Sequence, residues 1–138
     1  MRGYFSMILH AHLPYVRHPE YEEFLEEDWL YEAISETYIP LLNMFENLTR
    51  DKIPWSITMT MSGTLANMLN DELLRSRYEV SLNKSLELCR LEVERLKDQE
   101  ELLNVAKFNL SFFKRAKETF LRYNGDLIKA FKKFQDNG

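Results

Sequence analysis

Two histidines stand one residue apart in the stretch Ile8-Leu9-His10-Ala11-His12-Leu13-Pro14-Tyr15. Alternate side chains of an extended strand share a face, so the two imidazoles point the same way. Three chemistries fit such a pair. Neutral imidazoles can hold zinc, which would need at least one or two further ligands; His18 and the carboxylates of the 20s are candidates in sequence. The same rings can donate hydrogen bonds to sugar hydroxyls and stabilise charge near a glycosidic bond. Or they are hydrogen-bonded polar residues of the core. Spacing alone leaves all three open.

Trp29 follows an acidic run. A tryptophan there is either a core anchor or a surface on which a ligand stacks. The acids Glu20, Glu22, Glu23, Glu26, Glu27 and Asp28 read as a solvated loop and a helix N-terminus, where negative charge suits the helix dipole. Glycoside hydrolysis needs two carboxyls facing one another across a bond, and a cluster on one segment does not supply that. There is no Gly-rich phosphate loop, no G-x-S-x-G and no setting for a cysteine nucleophile. No cofactor is expected.

The elements that position these residues follow from periodicity. Residues 4–12 read as a strand, with Phe5, Met7 and Leu9 on one face and Tyr4, Ile8, His10 and His12 on the other. Both faces are largely apolar, which predicts burial on both sides as in parallel sheets. Pro14 ends it, and a polar loop runs to Glu27. From Asp28 to Leu48 the apolar residues recur every three or four positions, the pattern of an amphipathic helix capped by Asp28. Pro40 should kink or divide that helix. Trp55 to Ser62 alternates as a second strand, broken at Ser62-Gly63. After Asn70 the chain reads as helix: Leu73–Lys97, Leu102–Tyr123 and Leu127–Phe134. Gly125 serves as a stop and Asp126 as a cap.

The 138 residues fit one unit, strand–helix–strand over about 4–62 and helical over about 64–134. Apolar residues at 45% and charged residues at 29% exclude a disordered chain. A net charge of −4 argues against nucleic acid. The late basic residues, from Lys114 to Lys133, are offset by acids as on a solvated helix face. The single cysteine, Cys89, excludes an internal disulfide and suggests a reducing compartment. No run is long enough for a signal peptide or a bilayer span. A cytoplasmic location is expected, which makes the sequon at Asn47 accidental.

Two parallel strands alone make a poor sheet, because both outer edges lack partners. An edge carrying Trp55 and its Met neighbours would invite aggregation unless the helical tail covers it. The pattern therefore predicts the beginning of a larger α/β barrel.

The residues do resemble a family. His10-Ala11-His12-Leu13-Pro14-Tyr15, the block from Phe24 to Leu42, and Ser56 to Leu65 look like the start of glycoside hydrolase family 57. The subgroup is that of the α-1,4-glucan branching enzymes and α-amylase-like proteins. The resemblance implies a (β/α)7 barrel, of which this chain is an N-terminal fragment, acting on α-glucans by a retaining double displacement. His10 and His12 would line the donor-sugar pocket, and Trp29, opening the first long helix, would lie near the cleft. The family's nucleophilic glutamate and acid/base aspartate fall in later regions that this chain does not contain, so the chain alone should be inactive. Its partners would be an α-glucan and the remainder of the barrel. Where relatives usually have Ser-Pro after the second strand, this chain has Ser62-Gly63, which should loosen the turn. A non-catalytic helix-rich module binding glucan or protein, and a metal hydrolase built on His10, His12 and His18, are the alternatives.

Overall fold

The computed structural model describes residue 3 and residues 5–137; Tyr4, assigned above to the His10 face, lies outside them. Strand β1 (Ile8–Ala11) runs parallel to β2 (Thr58–Met61), pairing Ile8 with Thr58 and His10 with Thr60. Both strands are shorter than their alternation predicts. Trp55 to Met61 does alternate half-buried and exposed, but only its last four residues find a ladder partner.

The prediction of a strand buried on both faces is corrected. Ala11 is buried, and Met59 and Met61 pack against the core, whereas Ile8 is 67% exposed and His10, Thr58 and Thr60 lie open beside it. Among the described residues, helices cover one face of the sheet and nothing covers the other.

The first helical run begins one residue earlier than predicted. Helix α1 (Glu27–Ala33) starts from backbone turns at Phe24 and Leu25, and Glu26 stands at the cap without a side-chain bond. Asp28 is therefore a first-turn residue, placed where its charge meets the dipole, and not the cap. A π turn (Ile34–Tyr38) follows, and helix α2 (Ile39–Arg50) carries Pro40 in its first turn. Pro40 has no N–H and would crowd the carbonyl four residues back in a regular helix. The wider π turn, closed by the Ile39 N–H on the Ile34 carbonyl, absorbs that conflict, so the run is expanded and not broken.

Ser62 ends β2 and caps helix α3 (Gly63–Asn70), its hydroxyl accepting from the Leu65 N–H at 3.2 Å. Asp71 likewise caps α4 (Glu72–Arg95) through the Leu74 N–H. Helices α4 and α5 (Glu100–Arg122) fold back on one another as a hairpin. Tyr78 meets Phe120 edge to face across it, and the Tyr78 hydroxyl shares a hydrogen bond with Ser35. Helix α6 (Leu127–Asn137) follows a left-handed turn at Asn124 and Gly125, and the Asp126 carboxylate accepts from the Lys129 N–H.

The core is mostly helix on helix. Leu30, Ile34, Tyr38 and Leu42 pack with Leu65, Met68, Leu69, Leu74, Tyr78, Leu82, Phe120, Leu127 and Ala130. That core holds the helical layer together without requiring much of the sheet. The tail also covers Trp55, which stacks on Phe45 at 4.6 Å and meets Phe134 of α6.

Two glycines give opposite expectations. Gly125 has φ +71°, and a Cβ there would sit 2.9 Å from Phe120 Cζ. Gly125→Ala should destabilise the chain by about 1–2 kcal/mol from the backbone alone, read as a lower urea midpoint. Gly63 occupies the first position of α3, a capped helix start and not a loose turn, and nothing lies within 4 Å of an added Cβ. Ser62 before it is extended, as a following proline requires. Gly63→Pro should stabilise by about 0.4–1 kcal/mol and raise the melting temperature.

Candidate functional site

The two histidines share a face, as the alternation requires. Their rings are nearly parallel, 10° apart, with centroids 6.1 Å from one another, and both are exposed. His10 Nδ1 is hydrogen-bonded to the Thr60 hydroxyl at 2.7 Å. Parallel strands in register bring residue 60 beside residue 10, so Thr60 is a site residue that the register of β2 would have revealed. The bond fixes the His10 ring and leaves Nε2 for a ligand. Two oriented imidazoles on one open face can address neighbouring hydroxyls of a sugar.

A groove of about 460 Å³ runs past this strand end, lined by His10, His12, Glu36, Tyr38, Leu41 and Met44 among others. Glu36 belongs to the π turn, and its place beside the histidines depends on that expanded geometry. The single-sequence pattern gave no sign of it. Burial holds the Tyr38 phenol above its ordinary pKa, so it remains a neutral hydroxyl.

Trp29 does not line this groove. It is 50% exposed on α1 and lies outside the core cluster. Nor does His18 join the pair: its ring packs on Phe24 with centroids 3.7 Å apart, and its Nδ1 faces Glu20 at 3.3 Å. Among the described residues, no three His, Cys, Asp or Glu side chains converge to hold a metal ion.

One acid departs from the solvated reading. Glu27 is 1% exposed. It accepts from Arg77 Nη1 at 2.6 Å, from the Tyr31 hydroxyl at 2.8 Å and from the His18 N–H at 3.2 Å. Burial, and then the Glu27 carboxylate, push the Tyr31 phenol far above its ordinary range. Arg77 also donates to the carbonyls of His18 and Tyr21. Nearby, Arg17 pairs with Asp71, the α4 cap, at 2.7 Å. The loop that leaves β1 is thus tied to α4 at several points. Six acids in one stretch conceal the one that is buried, and its partner lies fifty positions away.

A parallel strand pair with polar residues at its C-terminal ends, flanked by a fixed loop and backed by helices, defines the class: it is how α/β barrels build their sites. Residues 6–138 match Glycosyl hydrolase family 57, and the chain belongs to that family. A 1,4-alpha-glucan branching enzyme of Thermococcus kodakarensis is 34% identical over all 138 residues, which span 20% of that enzyme. Its crystal structure, in complex with glucose and additives, superposes with a TM-score of 0.88 over 24% of its chain. An alpha-amylase from Thermotoga maritima is 44% identical, with a TM-score of 0.94 over 26% of its chain. A GH57-type branching enzyme from Pyrococcus horikoshii is 31% identical, with a TM-score of 0.91, again over 26%. All 138 residues take part in each superposition. The fold is accordingly that of two parallel strands and a helix-rich region from a (β/α)7 barrel enzyme.

The buried pair makes a direct prediction. Arg77→Met leaves the Glu27 charge without its partner and should cost about 3–5 kcal/mol in urea unfolding. Glu27→Gln retains an acceptor, and the Arg77 charge it leaves is 16% exposed and still met by the carbonyls of His18 and Tyr21, so its loss should be smaller.

Proposed function

We propose that this chain supplies one wall of an α-glucan pocket in a retaining glycosidase or transglycosylase of the branching-enzyme or amylase type. The observation that carries this reading is the open strand-end face, where His10, fixed by Thr60, and His12 stand parallel. Support comes from the family and from the named activities of its relatives. In this reading the uncovered face of the β1–β2 pair looks into a barrel completed by further strands. His10 and His12 donate hydrogen bonds to the donor sugar. The nucleophile and acid/base carboxylates stand on those further strands, since retaining chemistry needs two carboxyls about 5–5.5 Å apart across the bond. Trp29 belongs at the same end of the barrel, because α1 begins where the loop from the C-terminal end of β1 arrives.

No helix among the described residues is long and apolar enough to cross a membrane. With Cys89 free, a cytoplasmic setting in carbohydrate metabolism suits the chain.

The expected result is that the purified 138-residue chain leaves amylose unchanged, in reducing ends and in iodine absorbance. Maltoheptaose should meanwhile shift the His10 and His12 ring signals in NMR. Turnover by the chain would overturn the assignment of catalysis to other strands. Unshifted rings at saturating glucan would remove the histidines from the pocket.

A further inference from the structure

A second cleft, of about 1440 Å³, is bounded by α2, α5, α6 and the segment that leads into β2. Trp55, Ser56 and Ile57 line it just before β2 begins, so it lies where the strands start, whereas the histidines stand where β1 ends. Among the described residues, it shares Pro40 and no other lining residue with the groove beside the histidines. Barrels react at the C-terminal ends of their strands, so this cleft is away from the reacting end.

Its charge runs against that of the chain. The net charge is −4, yet Arg50, Lys52, Arg115, Arg122 and Lys133 line the cleft against Glu46 and Glu118. Arg122 is paired with Glu46, and Arg50 with Asp51. Among the described residues no acid pairs with Lys52 or Arg115, and Arg115 Nη1 donates to the neutral Ser111 hydroxyl at 2.9 Å. Lys52 follows α2 at φ +55°, a left-handed conformation that glycine takes freely and a lysine does not. Thr119, buried, donates to Asn43 Oδ1 at 2.9 Å, which leaves the Asn43 amide nitrogen as a further donor. Trp55, Phe112 and Phe134 give an apolar wall, and Trp55 is itself held by stacking on Phe45.

We propose that this cleft is a second binding site, for a small phosphate ester: the phosphate drawn to the unpaired cations Lys52 and Arg115, the ring covered by the aromatic wall. The cleft has room for a ligand of that size. A neutral sugar makes no use of two unpaired cations, and a bare anion makes none of the apolar wall. A metal cation is repelled by both. A ring bearing a phosphate uses every one of these groups, and a phosphorylated sugar and a nucleotide share that chemistry. The site is independent of the histidine face and does not rest on the glucan reading.

The test titrates the isotope-labelled chain with glucose-6-phosphate, adenosine monophosphate, inorganic phosphate and glucose, at low salt, and follows the Trp55 indole N–H by NMR. At least one ester should shift that signal at millimolar concentration or below. Glucose should not, and inorganic phosphate should bind more weakly than the ester. A preference for one ester names the source of the phosphate, and either preference keeps the site. Arg115→Gln should weaken ester binding about tenfold, as the loss of one hydrogen bond to a charged group implies. Lys52→Gly should do the same without lowering the unfolding midpoint, because glycine relieves the left-handed turn. Added salt should weaken binding as well. No shift with either ester at millimolar concentration overturns the proposal, and so does equal affinity in the parent and the double variant. Inorganic phosphate binding as tightly as the esters removes the aromatic wall from the site and overturns it too. His12→Ala should leave ester binding unchanged, so a failure here stays distinct from a failure of the glucan reading.

Discussion

A carboxylate almost wholly withdrawn from water persists in a fold only if its charge is met by well-placed donors. Glu27 meets that condition with three: a guanidinium, a phenol and a backbone N–H. The guanidinium matters for its shape as well as its charge. Arg77 reaches the carboxylate and two loop carbonyls at once, which a planar fork can do and a single ammonium does poorly. One pair thereby fixes the start of α1, the course of the preceding loop and the seating of α4. It also explains why a loop of about fifteen residues with no strand or helix of its own stays ordered at a barrel rim, where binding loops commonly lie.

The second constraint is the uneven cover of the sheet. Among the described residues, helices on one side of two short strands give that side a full core, and Ala11, Met59 and Met61 turn toward it. The opposite side shows Ile8, His10, Thr58 and Thr60 together. In an isolated two-stranded sheet such a face has little to recommend it. As the inner face of a barrel it is ordinary, because inward residues of a barrel are polar where the strands end and apolar below. The superpositions take in this whole chain and about a quarter of each larger structure.

How much the sequence disclosed differs from element to element, for physical reasons. The strand pair, the long helices and the Gly125 stop were legible because each rests on local chemistry: alternation, three-to-four spacing and the left-handed φ that glycine tolerates. The shared face of His10 and His12 was legible for the same reason. Strand length was not, since a ladder needs a partner in register and alternation runs on without one. The two-sided burial of β1 failed because apolar faces announce a need for cover, not who provides it. Glu27 was hidden because burial of a charge is decided by a residue fifty positions away. The π turn was half legible: Pro40 signalled a disturbance, but whether it breaks or widens a helix depends on how firmly both halves are packed. Here Ile34, Tyr38, Ile39 and Leu42 are all buried, and widening keeps every one of them in the core.

The geometry of the histidine face bears on what kind of work it does. With His10 Nδ1 bonded to the Thr60 hydroxyl, the ring is oriented and its Nε2 edge remains for one further hydrogen bond. His18, the third imidazole, is engaged with Phe24 and Glu20 as part of the loop. A metal centre would need that ring or a carboxylate to leave the contacts it has here. Recognition asks for less. Oriented imidazoles on an open face and a groove beside them suit a polymer of sugars, whose rings present polar edges and apolar faces. On the proposed reading the division is built into the chain: its helices and its buried ion pair hold still the surfaces that would meet a glucan, and the reacting carboxylates would stand on strands opposite.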